Sequence, residues 1–416
     1  MLNFTLRLNI YDNIECKVIM KKLFLTLCAL ATMSTAFAQT HFPSSSNPDV
    51  HFPIVRHHEE ARTNIVVPGL YGYNVYRADL HNHTIYSDAN VTPAFRVREA
   101  WMDGLDVIAV TDHLECRNLE VQMIDYMKKY LRDDVTEAVN ARVFDVPDDG
   151  RPFMTDQNYP ITLAQKEAEK YGITVIPGTE ISRNPNVAGH FNALFTTDLN
   201  TVYDRDPKKS LLKAKAQGAL IMHNHPGWRL HSVERIPFAQ EVYDEGIIDG
   251  VEVMNGRGFH TKALDWANEY DLFITSNSDA HYSTHELYGV HGVFRNMTFI
   301  FAKDKSLDSL KEAIKSHRTI AWSFGIMAGK KQILEDFFKA SVQCDVLSTS
   351  GEGVRTVSIK NNTSLDYIVR FKGDPVRLDA FENIMMTVAD KEDLVLTVEN
   401  MWYSSAEHPV ISIKIR

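Results

Sequence analysis

Residues 77–88, RADLHNHTIYSD, decide how the rest of the chain reads. The segment predicts a β-strand ending at His81 and His83, with Asp88 in the loop just beyond. Side chains two apart on a strand share a face, so both imidazoles can reach one cation, and imidazole with carboxylate suits zinc, iron and manganese sites. Alone, a His-x-His is a weak signal. With 17 histidines in the chain, chance or a polar surface pair accounts for most such patterns, so the case rests on companions at later strand ends.

Downstream, short apolar runs alternate with helix-like segments. Thr92-Pro93 predicts an N-cap with Pro at the first helical position, and the helix runs to about Asp103, where Gly104 ends it. Val107–Val110 reads as a buried strand finishing in Thr111-Asp112-His113. An insertion over 115–160 follows, helical from Val121 to Leu131 and loop from Pro147 to Pro160. Thr162 is expected to cap a helix ending at Tyr171-Gly172, before strand Ile173–Ile176 and Gly178-Thr179-Glu180. GHFNALF carries His190 at its head, and Ser210 is expected to cap the helix preceding strand Ala219–Met222 and HNHP, which holds His225. Strand Gly250–Met254 and helix Thr261–Tyr270 lead to strand Phe273–Ser276 and the SDAH run with Asp279 and His281. Strand Met297–Phe301, a Ser306-capped helix and strand Thr319–Trp322 complete the pattern.

Continuous apolar strands, as opposed to alternating ones, mark a parallel sheet covered by helices, here with enough units to curl into a barrel. Chemistry in such barrels sits at the C-terminal ends of the strands, where each polar cluster named above is expected to fall. The expected organisation is an α/β barrel over 76–325 carrying the insertion, a linking helix over 326–340, and a small all-β, sandwich-like region over 341–416. That last region holds TVSIKN, DYIVRF, IMMTVA, DLVLTVE and VISIKIR and no catalytic constellation, so packing or surface contact is its expected role.

The first 38 residues read as an extension followed by a signal peptide over 20–38, with Met20 as the start. Lys21-Lys22 precedes the apolar run Leu23–Ala31, and Ala36-Phe37-Ala38 is a small-x-small cleavage site. The run is too short to cross a bilayer, Leu27 before Cys28 argues against a lipid anchor, and residues 39–75 read as an irregular lead-in. A periplasmic or secreted location is expected. The net charge of −10 excludes a general nucleic-acid binder, which needs clustered Lys and Arg. Two of the four cysteines, Cys116 and Cys344, survive cleavage, which excludes a disulfide framework.

His81, His83, Asp88, His113, Glu180, His190, His225, Asp279 and His281 form the candidate set. Each alone has a bland explanation as a strand-end hydrogen-bonder, a cap or a turn residue. Their joint placement at one rim predicts a multinuclear metal site. Asp112 is the expected partner that orients an imidazole or relays a proton. Arg183, Arg229 and Arg257, each shortly after a strand end, are candidate phosphate clamps. His231, and less so His260, are candidates for protonating a leaving group, while Tyr282 and Trp228 flank the motifs as stacking or packing residues.

Taken in order, DLHNHTIYSD, AVTDH, GTEIS, the His of GHF, HNHP and NSDAH resemble the motifs of the PHP family (polymerase and histidinol phosphatase domains), over about residues 76–324. The resemblance implies a distorted (β/α)7 barrel, two or three zinc, manganese or iron ions, and hydrolysis of phosphate esters. Carried over, His81, His83, Glu180 and Asp279 would hold one ion, and Glu180 would bridge to a second held by His190 and His225. Asp88, His113 and His281 would hold a third, where the carboxylate of Asp88 favours a harder cation. The function expected is a secreted phosphoesterase acting on a small phosphate ester, with a diester ahead of a monoester and no stable nucleic-acid partner. Two alternatives stand beside it: an amidohydrolase-like C–N hydrolase, and a non-catalytic metal-loaded binding module docking through its C-terminal β region.

Overall fold

The computed structural model describes residues 62–117, 156–390 and 392–415. The extension, the signal peptide and most of the 115–160 insertion, including its expected helix, lie outside the described residues.

Strand β1 (Asn74–Asp79) is followed by α1 (Pro93–Met102), β2 (Val107–Val110), α2 (Tyr159–Tyr171) and β3 (Thr174–Ser182), and the three strands pair in parallel. β4 (His190–Leu194) then runs antiparallel to both β3 and β5 (Leu220–His223). This departs from the all-parallel expectation for a physical reason: residues 183–189 are too short a link for a parallel crossover, which takes a dozen residues or more. α3 (Pro207–Ala216) precedes β5, and α4 (Pro237–Asp244) joins β5 to β6 (Gly250–Asn255). The short β7 (Gly258–Phe259) folds back on β6, and α5 (Lys262–Glu269) leads to β8 (Phe273–Asn277), again parallel to β6.

The ends of β8 and β1 meet: Asp279 N donates to the His81 carbonyl at 3.0 Å and His83 N to the Ala280 carbonyl at 3.2 Å. On its other edge β1 pairs antiparallel with β9 (Met297–Ala302), which is followed by α6 (Leu307–Lys315), β10 (Thr319–Ser323) and the hairpin partner β11 (Ile326–Gly329). The result is a curled, mixed sheet of 12 strands. β2 shows why its run is apolar throughout: Val107 and Ala109 join one buried cluster with Leu80, Met222 and Phe273, while Ile108 and Val110 join another with Val97 of α1 and Ala164 of α2.

Two helix starts differ from the sequence reading. Asn158, not Thr162, holds the N-cap position of α2, without a side-chain cap bond, and the Thr162 hydroxyl donates back to the Asn158 carbonyl at 3.1 Å inside the first turn. Asp206, not Ser210, caps α3 through a 2.9 Å bond from Lys208 N. In both, a proline fits the first turn, where its missing N–H is no loss.

The linking segment is part strand: β11 occupies 326–329, and α7 (Lys331–Ser341) follows it. Beyond it lie β12 (Val342–Thr349), β13 (Val354–Asn361), β14 (Tyr367–Phe371), β15 (Asp374–Leu378), β16 (Asn383–Ala389), β17 (Leu394–Val398), β18 (Met401–Trp402) and β19 (Val410–Ile413). They form a three-stranded sheet, β12-β13-β16, and a four-stranded one, β15-β14-β17-β19. β18 instead pairs in parallel with β11 and so joins the main sheet. Phe337 and Phe338 of α7 share one buried cluster with Phe299 of β9, Val357 of β13 and Tyr367 of β14. The described residues accordingly form one compact unit. Cys116 and Cys344 are both free.

Candidate metal centre

One rim of the curled sheet collects the candidate set. His81 and His83 follow β1, His113 follows β2, Glu180 lies near the end of β3, His225 follows β5, and Asp279 and His281 follow β8. His190 stands at the start of its strand, and the antiparallel course of β4 is what brings that start to the same rim. Among the described residues, four overlapping groups of His, Asp and Glu present donor atoms within 4.8 Å of one another: His83, Asp88, His113 and His281; His81, His83 and Glu180; His81, His225 and Asp279; His113, Glu180 and His190. Together they comprise the candidate set and nothing else. The grouping differs from the carried-over partition, because His83 sits with the Asp88 group, its ring 4.3 Å from that of His281 and 4.4 Å from that of His113.

The spacing fits cations. His81 Nε2 lies 3.1 Å from His83 Nε2, and Asp279 Oδ1 lies 3.4 Å and 3.0 Å from these two nitrogens. Glu180 Oε1 is 3.5 Å from His81 Nε2 and 3.4 Å from His225 Nε2. Donors about 2.0–2.1 Å from one tetrahedral cation stand about 3.3–3.4 Å apart. Moreover, Glu180 Oε2, Asp279 Oδ1 and Asp88 Oδ1 are buried with imidazole nitrogens as their near partners, His113 at 2.6 Å, His83 at 3.0 Å and His281 at 3.2 Å, a state that is costly unless positive charge satisfies them. The His81, His83 and Glu180 side chains are 0–1 % exposed. Lone pairs converging in so dry a place call for a positive charge between them. Two members also hold unusual backbone: His225 has φ 26° and Asp279 φ 51°, left-handed conformations that non-glycine residues keep only where the surroundings enforce them. Gly178 serves packing just inside the rim, since a Cβ there would stand 2.9 Å from the Ala193 carbonyl oxygen.

The titration behaviour points the same way. Burial acts against the charged form of His81, but Asp279, Glu252 and Glu180 outweigh it and hold its pKa well above the ordinary value. His113 is raised in the same way by Glu180 and Asp88 against its burial. Burial works against ionised Glu180 and Asp279 too, yet the surrounding imidazoles, His113 and His190 first for Glu180 and His81 for Asp279, hold both well below the carboxylate range. His83 goes the other way, down to about 3, through burial and the neighbouring His281 and His113. Its lone pair is therefore free at neutral pH.

A pH dependence follows for protein stripped of metal. The raised His81 and His113 stabilise the fold fully below the unfolded histidine value of about 6.5, and that contribution is lost as pH rises through their folded values. The depressed Glu180 and Asp279 contribute above about pH 4 and lose their contribution as pH falls. Cations replace protons in this cluster. The melting-temperature difference between metal-loaded and chelator-stripped protein should therefore widen from pH 6 to pH 8.5. A difference that stays constant over that range would remove the linkage.

The residues behind the donors include several that the sequence reading missed. Glu252, fully buried on β6, lies 3.1 Å from His81 Nδ1 and accepts from His225 N at 2.8 Å, Asn255 at 2.9 Å and Asn277 at 3.0 Å. It sets the His81 tautomer so that Nε2 faces the cluster. The available signal was a single carboxylate inside the apolar run Gly250–Met254. Asn224 donates to Glu180 Oε1 at 2.8 Å, and Ser182 Oγ lies 2.5 Å from His113 Nδ1. Buried Arg96 of α1 donates to the carbonyls of His83 and Ala280 at 2.9 Å each, tying two donor-bearing loops together. Asp112 accepts from Thr84 N, Thr84 Oγ1 and Ser87 Oγ at 2.6, 2.7 and 2.8 Å, so it braces the loop after His83.

Clefts border the cluster. One, of about 840 Å³, is lined by Asp88, His113 and His190 together with Arg183, Arg205, Trp228 and Arg229. Arg183 is partly engaged there, paired with Glu115 and donating to the Asp204 carbonyl at 2.7 Å. Arg229 is exposed and lies over the Trp228 ring at 4.3 Å, and that ring stands 5.1 Å from His190 and 5.3 Å from His225. Arg205 was missed because its loop follows the antiparallel strand. Arg257 lies apart from Arg183 and Arg229, in a second cleft of about 610 Å³ with Asp279, His281 and Tyr282. His231 is exposed and His260 half-buried, and neither belongs to the donor groups.

The PHP domain family model matches residues 79–396. The chain belongs to the PHP domain family. The match runs past residue 324, where the sequence motifs end, into the C-terminal sheets. A two-domain protein from Bacteroides vulgatus containing a predicted PHP-like metal-dependent phosphoesterase aligns at TM-score 0.72 and 30 % identity, over 86 % of this chain and 99 % of its own. A candidate metal-dependent phosphoesterase from Bifidobacterium adolescentis aligns at TM-score 0.35 and 16 % identity, over 50 % of this chain and 88 % of its own. An amidohydrolase from Chromobacterium violaceum aligns at TM-score 0.34 and 14 % identity, over 49 % and 87 %. No curated protein matches the chain. As a PHP domain with His, Asp and Glu clusters that could bind metal ions, the chain has the donor chemistry of a metal-dependent family, with β4 reversed within its mixed sheet.

Proposed function

We propose that this PHP domain is a metal-dependent hydrolase of small phosphate esters, with diesters ahead of monoesters, acting in the periplasm or outside the cell. The carrying observation is the set of nitrogen and oxygen donors at one rim, opening onto a cleft lined by Arg183, Arg205 and Arg229. The similarity to the Bacteroides vulgatus protein, described as containing a predicted phosphoesterase, supports the same reading. The signal-like run before Gln39 supports export.

The four donor groups would hold divalent cations, which neutralise phosphoryl charge and acidify water near neutral pH. The chain's own residues do the rest. Exposed Arg229 and Arg205 can donate paired N–H groups to phosphoryl oxygens and orient the ester. Trp228, lying against His190 and His225, shields the cluster from bulk water. Glu252 and Asn224 hold His81 and Glu180 in their facing orientations.

The test compares initial rates of metal-loaded protein on a nitrophenyl phosphodiester, a phosphomonoester and an anilide panel. Turnover of phosphoesters is expected, and turnover of anilides alone would overturn the reading in favour of C–N hydrolysis. Arg229→Ala should raise KM for the ester about tenfold, the loss of one charge-assisted hydrogen bond at an exposed site, with kcat changed less.

A further inference from the structure

The arginine cleft accounts for one side of the cluster. On the other side, the cleft holding Asp279, His281 and Arg257 shares Gly256, Arg257 and His291 with a neighbouring cavity of about 420 Å³. That cavity has a different chemistry: Met254, Phe259, Val293, Phe324 and Ile326 supply its walls. Its volume falls within the range that holds small-molecule groups, about 300–1,000 Å³. The two spaces adjoin through their shared residues, and the Phe324 ring of one lies 6.0 Å from the Tyr288 ring of the other.

Phe324 is itself out of place by local rules. Phe324 and Gly325 form the turn between β10 and β11, with φ 47° and 77°. Two-residue hairpin turns with both φ values positive favour Asn-Gly, not an aromatic. Here a phenylalanine sits at the first position with 42 % of its surface exposed, so neither core packing nor turn preference explains it. Strain held at the mouth of a cavity is a pointer to binding.

We propose that the cavity walled by Phe324, Val293, Phe259, Met254 and Ile326 binds an apolar alkyl or aryl group of the phosphate ester while the phosphorus lies at the donor cluster. This rests on the phosphoesterase reading and narrows it: the alcohol component on the Asp279 side is hydrophobic, and Arg257 at the junction meets the charged end of the molecule.

The probes are octylphosphonate and methylphosphonate, which are not hydrolysed. Calorimetric binding to metal-loaded protein should favour the octyl compound by about tenfold or more, from burial of its methylenes. Phe324→Asn restores the residue the turn prefers, so its melting temperature should not fall, while the octyl-to-methyl ratio should drop about tenfold. Val293→Trp, which fills the cavity from an exposed loop, should lower the ratio similarly, whereas Leu212→Trp on the outer face of α3 should leave it at the wild-type value. Equal binding of the two phosphonates by wild-type protein, or ratios unaffected by Phe324→Asn and Val293→Trp, would overturn the proposal. Failure to hydrolyse any phosphoester would sink the phosphoesterase reading alone, because the binding ratios are read without turnover.

Discussion

Glu180→Ala is expected to lose most of its bound metal, as read by elemental analysis of purified protein, and to lower phosphoester kcat/KM by on the order of a thousandfold or more. No other side chain in the cluster faces so many imidazoles. Its two oxygens lie 3.5 Å from His81, 3.6 Å from His83, 2.6 Å from His113, 3.1 Å from His190 and 3.4 Å from His225. Removing it takes a ligand from two of the four groups at once, those with His81 and His83 and with His113 and His190. It also leaves a largely buried group of imidazoles with less negative charge around it, so cation affinity falls for electrostatic reasons as well. Circular dichroism should show an unchanged fold, since Glu180 is held by Asn224 and the imidazoles and anchors no core packing. Full metal content in the variant would remove Glu180 from its central role.

Glu252→Ala should weaken metal binding and activity by about 10–100-fold, the range typical of the hydrogen-bond partners that orient metal ligands. The residue lies behind His81 and is completely buried. Its carboxylate meets His81 Nδ1 at 3.1 Å and the His225 backbone N–H at 2.8 Å, so it holds two donors from different strands in one register. Without it the His81 ring is free to turn, and the His225 backbone, at φ 26°, loses the bond that keeps it there. Glu252→Gln keeps the shape and one acceptor oxygen and should recover about half of the lost affinity on a logarithmic scale. If the alanine variant binds and turns over like wild type, the orienting role is wrong, whatever becomes of Glu180.

Much of the architecture is legible in local sequence. Val107–Val110 reads as a strand covered on both faces because it is, with alternate side chains going to different clusters. Thr92-Pro93 and Ser306 begin helices where their side chains suggest. The reversal of β4 was also within reach, since the length of 183–189 forbids a parallel crossover. Asn158 and Asp206 compete as helix starts with Thr162 and Ser210 four residues on, whose hydroxyls can also accept a first-turn N–H, and only the proline-bearing first turn decides between them. For Glu252 the only local signal is its place in an apolar run, and for Arg96 there is none. A lone charge in an apolar strand, or an arginine on an amphipathic helix, gives no local sign that its partners are carbonyls and imidazoles from other elements.

The chain carries the tripeptide His-Asn-His twice, and the two copies separate what each level decides. By itself the sequence determined that the element order is α/β, that imidazoles and carboxylates cluster at strand ends, and that a nitrogen–oxygen donor set of this kind suits divalent cations. The candidate set takes both rings of the first copy and only His225 of the second, but the physical reason for that difference lies in tertiary contacts. At 81–83 both rings are buried in the cluster with centroids 5.1 Å apart. At 223–225 only His225 joins it: His223 packs on Phe191 at 4.9 Å, meets the Tyr243 hydroxyl at 3.0 Å, and is kept neutral by burial, which lowers its pKa to about 3. Alternation along a strand is a local rule, whereas the left-handed turn at His225 and the bond from its N–H to Glu252 are imposed by the packing of β5 against β6. Which side chains converge on a cation is therefore settled by contacts between elements far apart in the chain.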